Sequence, residues 1–516
     1  MFAVPMYEEV TMKKVIVKKN RYVDSVSLMG VSERVTAMKG IENAEAQMAT
    51  CANQDVLKQL GYVLPETVSP NDLVIAITAE DETAYNAALQ MAEDIIDHKN
   101  TDSDRHYADI SEIDMEEDHY DLCQISLPGE YATAEAKKAL AKGMDLFIFS
   151  DNVSLEEELE LKQLGKSLGK LVMGPDAGVA LIGGVALAAG SIIRSGPIGI
   201  VAASGSGAQE VGCIIEKCGM GVSDIIGTGG RDLYPQIGGI TMLEGIRRME
   251  ADPDTKVIVL VSKLADLGVM DKVLTVADNC EKPVVALFLG SDETLFAGHR
   301  VHGTFSLEAA ALKAVELAGG EVSGFGYEEA ELDALVTDCM ARLRPEQKYF
   351  RGLYCGGTFT EEALQYFAAN NQDVPLYSNL KNPYSTKLED SNFSKGHTIL
   401  DLGAEDFTAK APHPVFDPGL RLKRLCQELQ DPQVAVVLLD FITGPGVAYD
   451  PITAFAKECA KHPDIVFISN ICGSLEDPQN VEEKQRLLEK AGVIVTKSNY
   501  QSSRLASALM NALERR

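Results

Sequence analysis

Short apolar, β-branched runs alternate with amphipathic helical stretches almost from one end of the chain to the other. That alternation is the pattern of βαβ units and parallel sheets. The clearest strand candidates are residues 73–78, 146–150, 198–203, 256–261, 283–289, 434–439 and 464–469. The expected fold class is therefore α/β, built from consecutive Rossmann-like or flavodoxin-like parallel-sheet domains. Two stretches break the pattern. Residues 93–121 are strongly acidic with no core periodicity and read as a solvated linker or surface loop. Residues 382–395 cluster Pro, Ser, Asn and Asp and read as a long loop. Residues 177–193 have membrane-like hydropathy, but they fall short of the roughly 18 residues a span needs. With Asp176 and Arg194 as flanks, buried α/β core is expected there.

An internal repeat organises the second part of the chain. GIVAASGSGAQE at 199–210 is echoed by GLYCGGTFTEEA at 352–363, and IIGTGGRDL at 225–233 by ILDLGAEDF at 399–407. DPDTKVIVLVSK at 252–263 is echoed by DPQVAVVLLDF at 431–441, and LGS at 289–291 by CGS at 472–474. Four echoes in one order imply two copies of one α/β unit of roughly 150 residues.

Composition narrows the function classes. The 516 residues carry 47 Lys+Arg against 77 Asp+Glu, a formal net charge of −30 that would repel phosphate polymers and anionic lipid surfaces. Nucleic acid and membranes are not expected as partners. Ten cysteines without a CxxC pair fit reduced thiols, and the first residues lack a charged leader followed by a long apolar core. The expected location is the cytoplasm.

Candidate chemistry gathers where strands end. Ser204, Gly205, Ser206 and Gly207 join a strand to a helix, an arrangement that offers backbone N–H groups and hydroxyls to phosphate or carboxylate. Gln209 and Glu210 stand where a dinucleotide fingerprint needs its third glycine, so NAD is not expected. Gly229 and Gly230 precede Arg231, a planar fork for an anion, and Lys263 follows another strand at the same sheet edge. The second copy supplies Gly357 with Thr358, and Thr443 with Gly444 and Gly446. Each of these loops also has a plain structural reading as a capped turn or surface pair. His299 and His302 are three apart without a third ligand, so no metal site is expected. His413 sits between prolines in a rigid loop.

From about Gly129 onward the chain resembles the succinyl-CoA synthetase superfamily. Residues 129–178 are similar to the second half of an α-subunit CoA-binding domain, ending in the turn Gly174-Pro175-Asp176. GPIGIVAASGSGAQE and GTGGRDL resemble the start of the ligase domain that follows, and 346–516 resembles the C-terminal domain of the β subunit. Within the superfamily the pattern resembles the FdrA-type proteins, carried by DSVSLM, FSDNVSLE, VMGPDAG, GGRDL, VSK, ALFLG, ILDLG, PHPVFDP and DPQ. The implied organisation is a CoA-binding-type domain at 1–195, an α-type ligase domain at 196–340 and a β-type ligase domain at 341–516.

The resemblance also implies chemistry. In succinyl-CoA synthetase the phosphoryl group sits between two helix N-termini, whose counterparts here are expected at Ser204 to Gly207 and Thr443 to Gly446. No ATP-grasp domain fits this sequence, Lys263 stands in place of the glutamate that orients the phosphohistidine, and His299 matches the phosphohistidine position only across a gap. The family association is with oxamate carbamoyltransferase, so the expected function is a subunit that uses carbamoyl phosphate and oxamate in purine-ureide (allantoin) catabolism, with partner subunits and homo-oligomers. Arg231 and Lys263 are the expected catalytic residues, and Asp176, Asp401 and His413 further substrate-site candidates. Two alternatives stand beside it: an ATP-dependent acyl-CoA synthetase that borrows an ATP-grasp subunit, with CoA and ATP as its cofactors, and a non-catalytic anion-binding scaffold.

Overall fold

The computed structural model describes residues 12–98 and 107–516, apart from residues 24, 66, 108 and 410. It divides into two compact units with the boundary between residues 106 and 107. The first holds strands β1 (Met12–Lys18), β2 (Ile41–Met48) and β3 (Leu73–Ala79) in the order β1-β3-β2, with both pairings antiparallel. Alternate residues of β3 point into different clusters. Leu73, Ile75 and Ile77 pack with the helices Ser25–Thr36 and Glu82–His98, whereas Val74 and Ala76 meet Leu57 and Tyr62. Cover on both faces makes a central antiparallel strand read as an unbroken apolar run, the same signature a parallel strand gives. The expected Rossmann-like domain at 1–195 is corrected accordingly: its first strands form a separate antiparallel unit. Of the acidic stretch 93–121, the first residues continue the helix to His98, Ile110–Glu112 form a 3-10 turn, and 99–106 lie outside the described residues.

Parallel pairing begins with β4 (Leu122–Ile125), β5 (Asp145–Ile148) and β6 (Val172–Met173), a three-stranded sheet. Residues 177–193 then fold as a hairpin of β7 (Val179–Ile182) and β8 (Val185–Ala188), with β7 buried and β8 half-buried at the sheet edge apart from exposed Val185. The expected buried core is therefore interrupted at the hairpin turn and β8, and resumes at Gly190, Ser191 and Ile193. Among the described residues no helix is long and apolar enough to cross a membrane.

Two seven-stranded sheets follow. The first contains β7 and β8 with β9 (Ser195–Ala202), β10 (Val222–Gly227), β11 (Val257–Lys263), β12 (Val284–Leu289) and β13 (His302–Thr304), in the order β13-β12-β11-β9-β10-β7-β8. The second is built from β14 (Tyr349–Tyr354), β15 (Leu376–Ser378), β16 (Thr386–Lys387), β17 (His397–Asp401), β18 (Val434–Ile442), β19 (Val466–Cys472) and β20 (Ile494–Thr496), in the order β16-β15-β17-β14-β18-β19-β20. The four sequence echoes fall on β9 and β14, β10 and β17, β11 and β18, and the ends of β12 and β19. Five strands of each half thus share one parallel order, the flavodoxin-like arrangement, with β7 and β8 added antiparallel at the edge of the first sheet, and all the strand candidates read from the sequence fall on strands.

One core joins the halves: Ile200 and Val211 share a cluster with Phe359, Leu364 and Leu509. Three carboxyl groups are buried beside it, Glu210, Glu308 and Glu362, and all take hydrogen bonds from the start of the C-terminal helix Asn499–Glu514. Asn499 N donates to Glu210 at 2.8 Å and Asn499 Nδ2 to Glu362 at 2.7 Å, while Gln501 Nε2 donates to Glu308 at 2.6 Å. Burial pushes all three above the usual carboxylate range, Glu362 to about 8. A carboxyl with a raised folded pKa keeps a proton that the unfolded chain loses, so stability falls as pH climbs from the unfolded value toward 8. Glu362→Gln should melt near the parent at pH 5 and several degrees above it at pH 9, as measured by thermal unfolding at both pH values.

Candidate functional site

In an open parallel sheet the crevice lies at the carboxyl ends of the strands, where successive connections leave in opposite directions. That strand is β9 in the first half, flanked by β10 and β11, and β14 in the second, flanked by β17 and β18. Each feeds a helix start. Ser204 caps the helix Gly205–Lys217, its Oγ accepting from Gly207 N at 3.0 Å. Gly356 precedes the helix Gly357–Asn370 and has no side chain to offer, so the amides of Cys355 and Gly356 donate instead to the buried Asp440 carboxylate at 2.8 and 2.9 Å. Asp440 is paired in turn with buried Arg421 at 3.1 Å.

The two helix starts meet. Ser204 Oγ and Thr358 Oγ1 share a hydrogen bond of 2.6 Å across the two halves. The first amides of an α-helix have no partner inside it, and here those of Gly205, Ser206 and Gly357 belong to half-buried residues at the crevice. A Cβ on Gly357 would stand 3.0 Å from Asp401 Oδ2 and 4.0 Å from Lys263 Nζ, so this glycine keeps the helix start close to both side chains. Lys263, the last residue of β11, pairs with Glu361 at 2.8 Å and stays 44% exposed. Asp401 ends β17 and accepts from Gly403 N at 2.9 Å. Burial raises its carboxyl to about 6, against the pull of the Gly403 amide and Lys263 and with reinforcement from Asp440.

His413 lies beside the same edge, its Nε2 packed on Gly403. Its Nδ1 accepts from Val415 N at 3.2 Å, so in the neutral ring Nε2 carries the hydrogen, and burial pushes the imidazole pKa down.

Other expected site residues are placed elsewhere. The turn holding Thr443, Gly444 and Gly446 opens no helix; the next one is Thr453–Cys459. It is sealed against the segment after β8: the Thr443 carbonyl accepts from Ser191 Oγ at 3.0 Å and Gln209 Nε2 at 2.8 Å, and Thr443 Oγ1 donates to Asp477 at 2.6 Å. A Cβ on Gly444 would stand 2.6 Å from the Gly190 carbonyl oxygen, and one on Gly446 would collide with that of Ala188. The second arm of the expected clamp is therefore Gly357 and Thr358, because close packing and not helix initiation explains the glycines of 443–446.

Gly229, Gly230, Arg231 and Asp176 form a separate corner. Gly229 has φ +84 and packs on Pro175, and Asp176 lies 3.7 Å from the Cβ position of Gly230. Arg231 donates to the Val153 carbonyl at 2.8 Å and pairs with buried Glu158 at 2.8 Å. Glu158 also pairs with buried Lys162 at 3.0 Å, and Lys162 with Asp232 at 2.7 Å. Arg231 thus closes a buried charge network and is not brought to the helix starts. Burial raises the Asp176 carboxyl, with Asp151 adding to the effect.

His299 is also displaced. Its Nδ1 lies 2.7 Å from Asp278, and it precedes β13, whose His302 pairs with Val285 at the start of β12. Lys263 pairs with Leu289 at the end of β12, so His299 stands at the opposite end of the sheet from the helix starts. Residues that carry the site but drew no attention in the sequence are Asp440 and Glu361; position at a strand end of the second repeat was the available signal for Asp440.

The two parallel-sheet halves meet at facing helix N-termini, and residues 353–509 match the CoA-ligase family. The chain is 40% identical over 506 residues, 96% of its length and 98% of the relative's, to the uncharacterized protein YahF of Escherichia coli strain K12, and it belongs to the YahF family. It is 28% identical over 218 residues to the SauD subunit of the ADP-forming sulfoacetate-CoA ligase of Bilophila wadsworthia, covering 39% of this chain and 72% of that one. It is likewise 28% identical over 225 residues to the mitochondrial succinate–CoA ligase subunit alpha-2 of Trichomonas vaginalis, covering 40% and 72%. Residues 11–111 match the family described as AllF, heavy metal-associated domain. Among the described residues no three His, Cys, Asp or Glu side chains form a metal-sized group.

A doubly charged anion at this crevice gains from two helix poles, each worth roughly 0.3–1 kcal/mol, and from Lys263, while an ionised Asp401 opposes it. Sulfate keeps its charge across the range and isolates the protein's titration. Lys263→Ala should weaken sulfate binding about tenfold by calorimetry. Asp401→Asn should bind it about tenfold more tightly than the parent at pH 7.5, through loss of a like charge worth ~1.4 kcal/mol, and equally at pH 5.

Proposed function

We propose that this chain is a subunit that handles an acyl phosphate directly, with carbamoyl phosphate as donor and oxamate as acceptor. The observation that carries the reading is the pairing of the two helix starts through Ser204 and Thr358, beside Lys263 and Asp401, with His299 at the far end of the sheet. A phosphate group at the helix starts needs no phosphohistidine to deliver it. Donor amides and Lys263 stabilise the charge that collects on the leaving phosphate as the acceptor nitrogen attacks the carbonyl carbon. Asp401, ionised above about 6, is suited to take the proton from that nitrogen. The nitrogen–carbon bond forms, the carbon–oxygen bond to phosphate breaks, and phosphate leaves with the bonding pair. His413 Nε2–H is a candidate donor to the carbonyl oxygen. Partner subunits, self-association and a cytoplasmic setting belong to this reading.

A second reading, an acid–thiol ligase subunit that works with a separate ATP-grasp chain, is favoured by the match of 353–509 to the CoA-ligase family and by the sulfoacetate and succinate ligase relatives. It would bring CoA and ATP to the complex. Its difficulty is the position of His299.

The two separate in one assay of the chain with its partner subunits. Carbamoyl transfer predicts phosphate release that requires both carbamoyl phosphate and oxamate, falls at least about tenfold in Lys263→Ala with loss of the charge-assisted contact, and is unchanged in His299→Ala. ADP formation from ATP, CoA and a carboxylate, abolished by His299→Ala, would establish the ligase instead.

A further inference from the structure

A cavity of about 690 Å³ opens where β12 and β13 end against the outer face of the helix Gly357–Asn370. None of the functions above uses it. Its walls have three notable properties. The first is aromatic: Phe305, Tyr366 and Tyr500 line it, the two tyrosine rings meeting edge to face at 5.2 Å and Phe305 remaining 47% exposed. The second is charge: Asp292 and Glu293 are in the lining, Glu362 beside them keeps its proton up to about pH 8, and among the described residues no Lys, Arg or His lines the cavity. Asp292 is held ionised by hydrogen bonds from Thr294, which keep its carboxyl below the usual range. The third is unmet polarity: Ser291 Oγ and Gln365 Nε2 are shut off from solvent without a hydrogen-bond partner.

We propose that this cavity binds a small free organic amine in its ammonium form. Aromatic faces attract a cation through their ring quadrupole, most strongly where water is displaced. A carboxylate at the mouth adds charge complementarity, and Arg504, whose charge reaches both tyrosines, is paired with Glu329. Buried polar groups left without partners in a native protein call for one, and the Ser291 hydroxyl, or the Gln365 carboxamide presenting its oxygen, can accept an N–H from the ligand. This site is distinct in chemistry from the helix starts, which select negative charge, and it stands whether the chain transfers carbamoyl groups or makes thioesters. The two sites share the helix Gly357–Asn370, with Thr358 at one and Gln365 and Tyr366 at the other.

The test compares three probes of matched size on the full chain by calorimetry and ligand-observed NMR: n-butylammonium, n-butanol and butyrate. Butylammonium should bind about tenfold more tightly than butanol, with butyrate weakest, the order expected of a cation on aromatic rings. Tyr366→Ala should weaken butylammonium about tenfold while Tyr366→Phe keeps most of the affinity, which separates loss of the ring face from loss of fold. Asp292→Asn, at an exposed position, should weaken it by a smaller factor, more so at low salt. Equal or tighter binding of butanol or butyrate, absence of butylammonium binding, or unchanged affinity in both Tyr366→Ala and Asp292→Asn would overturn the proposal.

Discussion

Two helix N-termini carry like poles, and in this protein they are brought together until a serine on one and a threonine on the other share a single hydrogen bond. Each pole amounts to roughly half a positive charge, so the approach of the Ser204 and Thr358 helices needs negative charge nearby to be stable. The second half provides it from its own strands. Asp440 takes two amides ahead of its helix, Asp401 stands against Gly357, and Glu361 draws Lys263 across from the first half. Among the described residues no carboxylate hydrogen-bonds the amides of Gly205 and Ser206, where Ser204 alone caps the helix. The result is an electrostatic imbalance at one seam inside a chain of net charge −30, which under the proposed function a small anion corrects.

Keeping that seam in place requires the halves to be locked elsewhere. Asp477 does so by accepting from Thr443 Oγ1, Ser474 N and Ile192 N, tying the turn after β18 and the end of β19 to the segment that enters β9. Gln479 adds bonds to Gly444 and Ala448. Breaking one member of such a buried network leaves its partners unsatisfied, at ~1–3 kcal/mol each. The glycines of 443–446 belong to this lock, which explains why they sit at a strand end without opening a helix.

Much of this was legible in the sequence, and the parts that were not share a cause. Strands 198–203, 256–261 and 434–439 could be read because burial on both faces leaves an apolar run. The repeat could be read because its echoes lie at strand ends, where the chain must turn in the same way twice. A glycine at a strand end, however, reports close approach of backbone without saying what approaches: Gly357 meets Asp401, Gly446 meets Ala188, and the letters are alike. Arg231 was read by its neighbours in sequence, yet its partner Glu158 lies on another sheet's helix. The antiparallel unit was hidden because β3, central and covered twice, imitates a parallel strand.

The difference between the two repeats is more informative than their likeness. Each presents a helix start between two strand ends, but β11 closes with Lys263 whereas β18 carries Asp440. In the first half the strand brings a lysine shared with Glu361; in the second it brings an aspartate shared between Arg421 and the amides of Cys355 and Gly356. Two identical halves would make two anion sites or none. Lys263 and Asp440 do not stand at the same register position, and each is paired, with Glu361 and Arg421; under the proposed function the anion comes from the Lys263 side, with Asp401, its carboxyl raised to about 6, on the other. That is the asymmetry a transfer reaction needs, since one edge must hold the departing charge while the opposite edge accepts a proton.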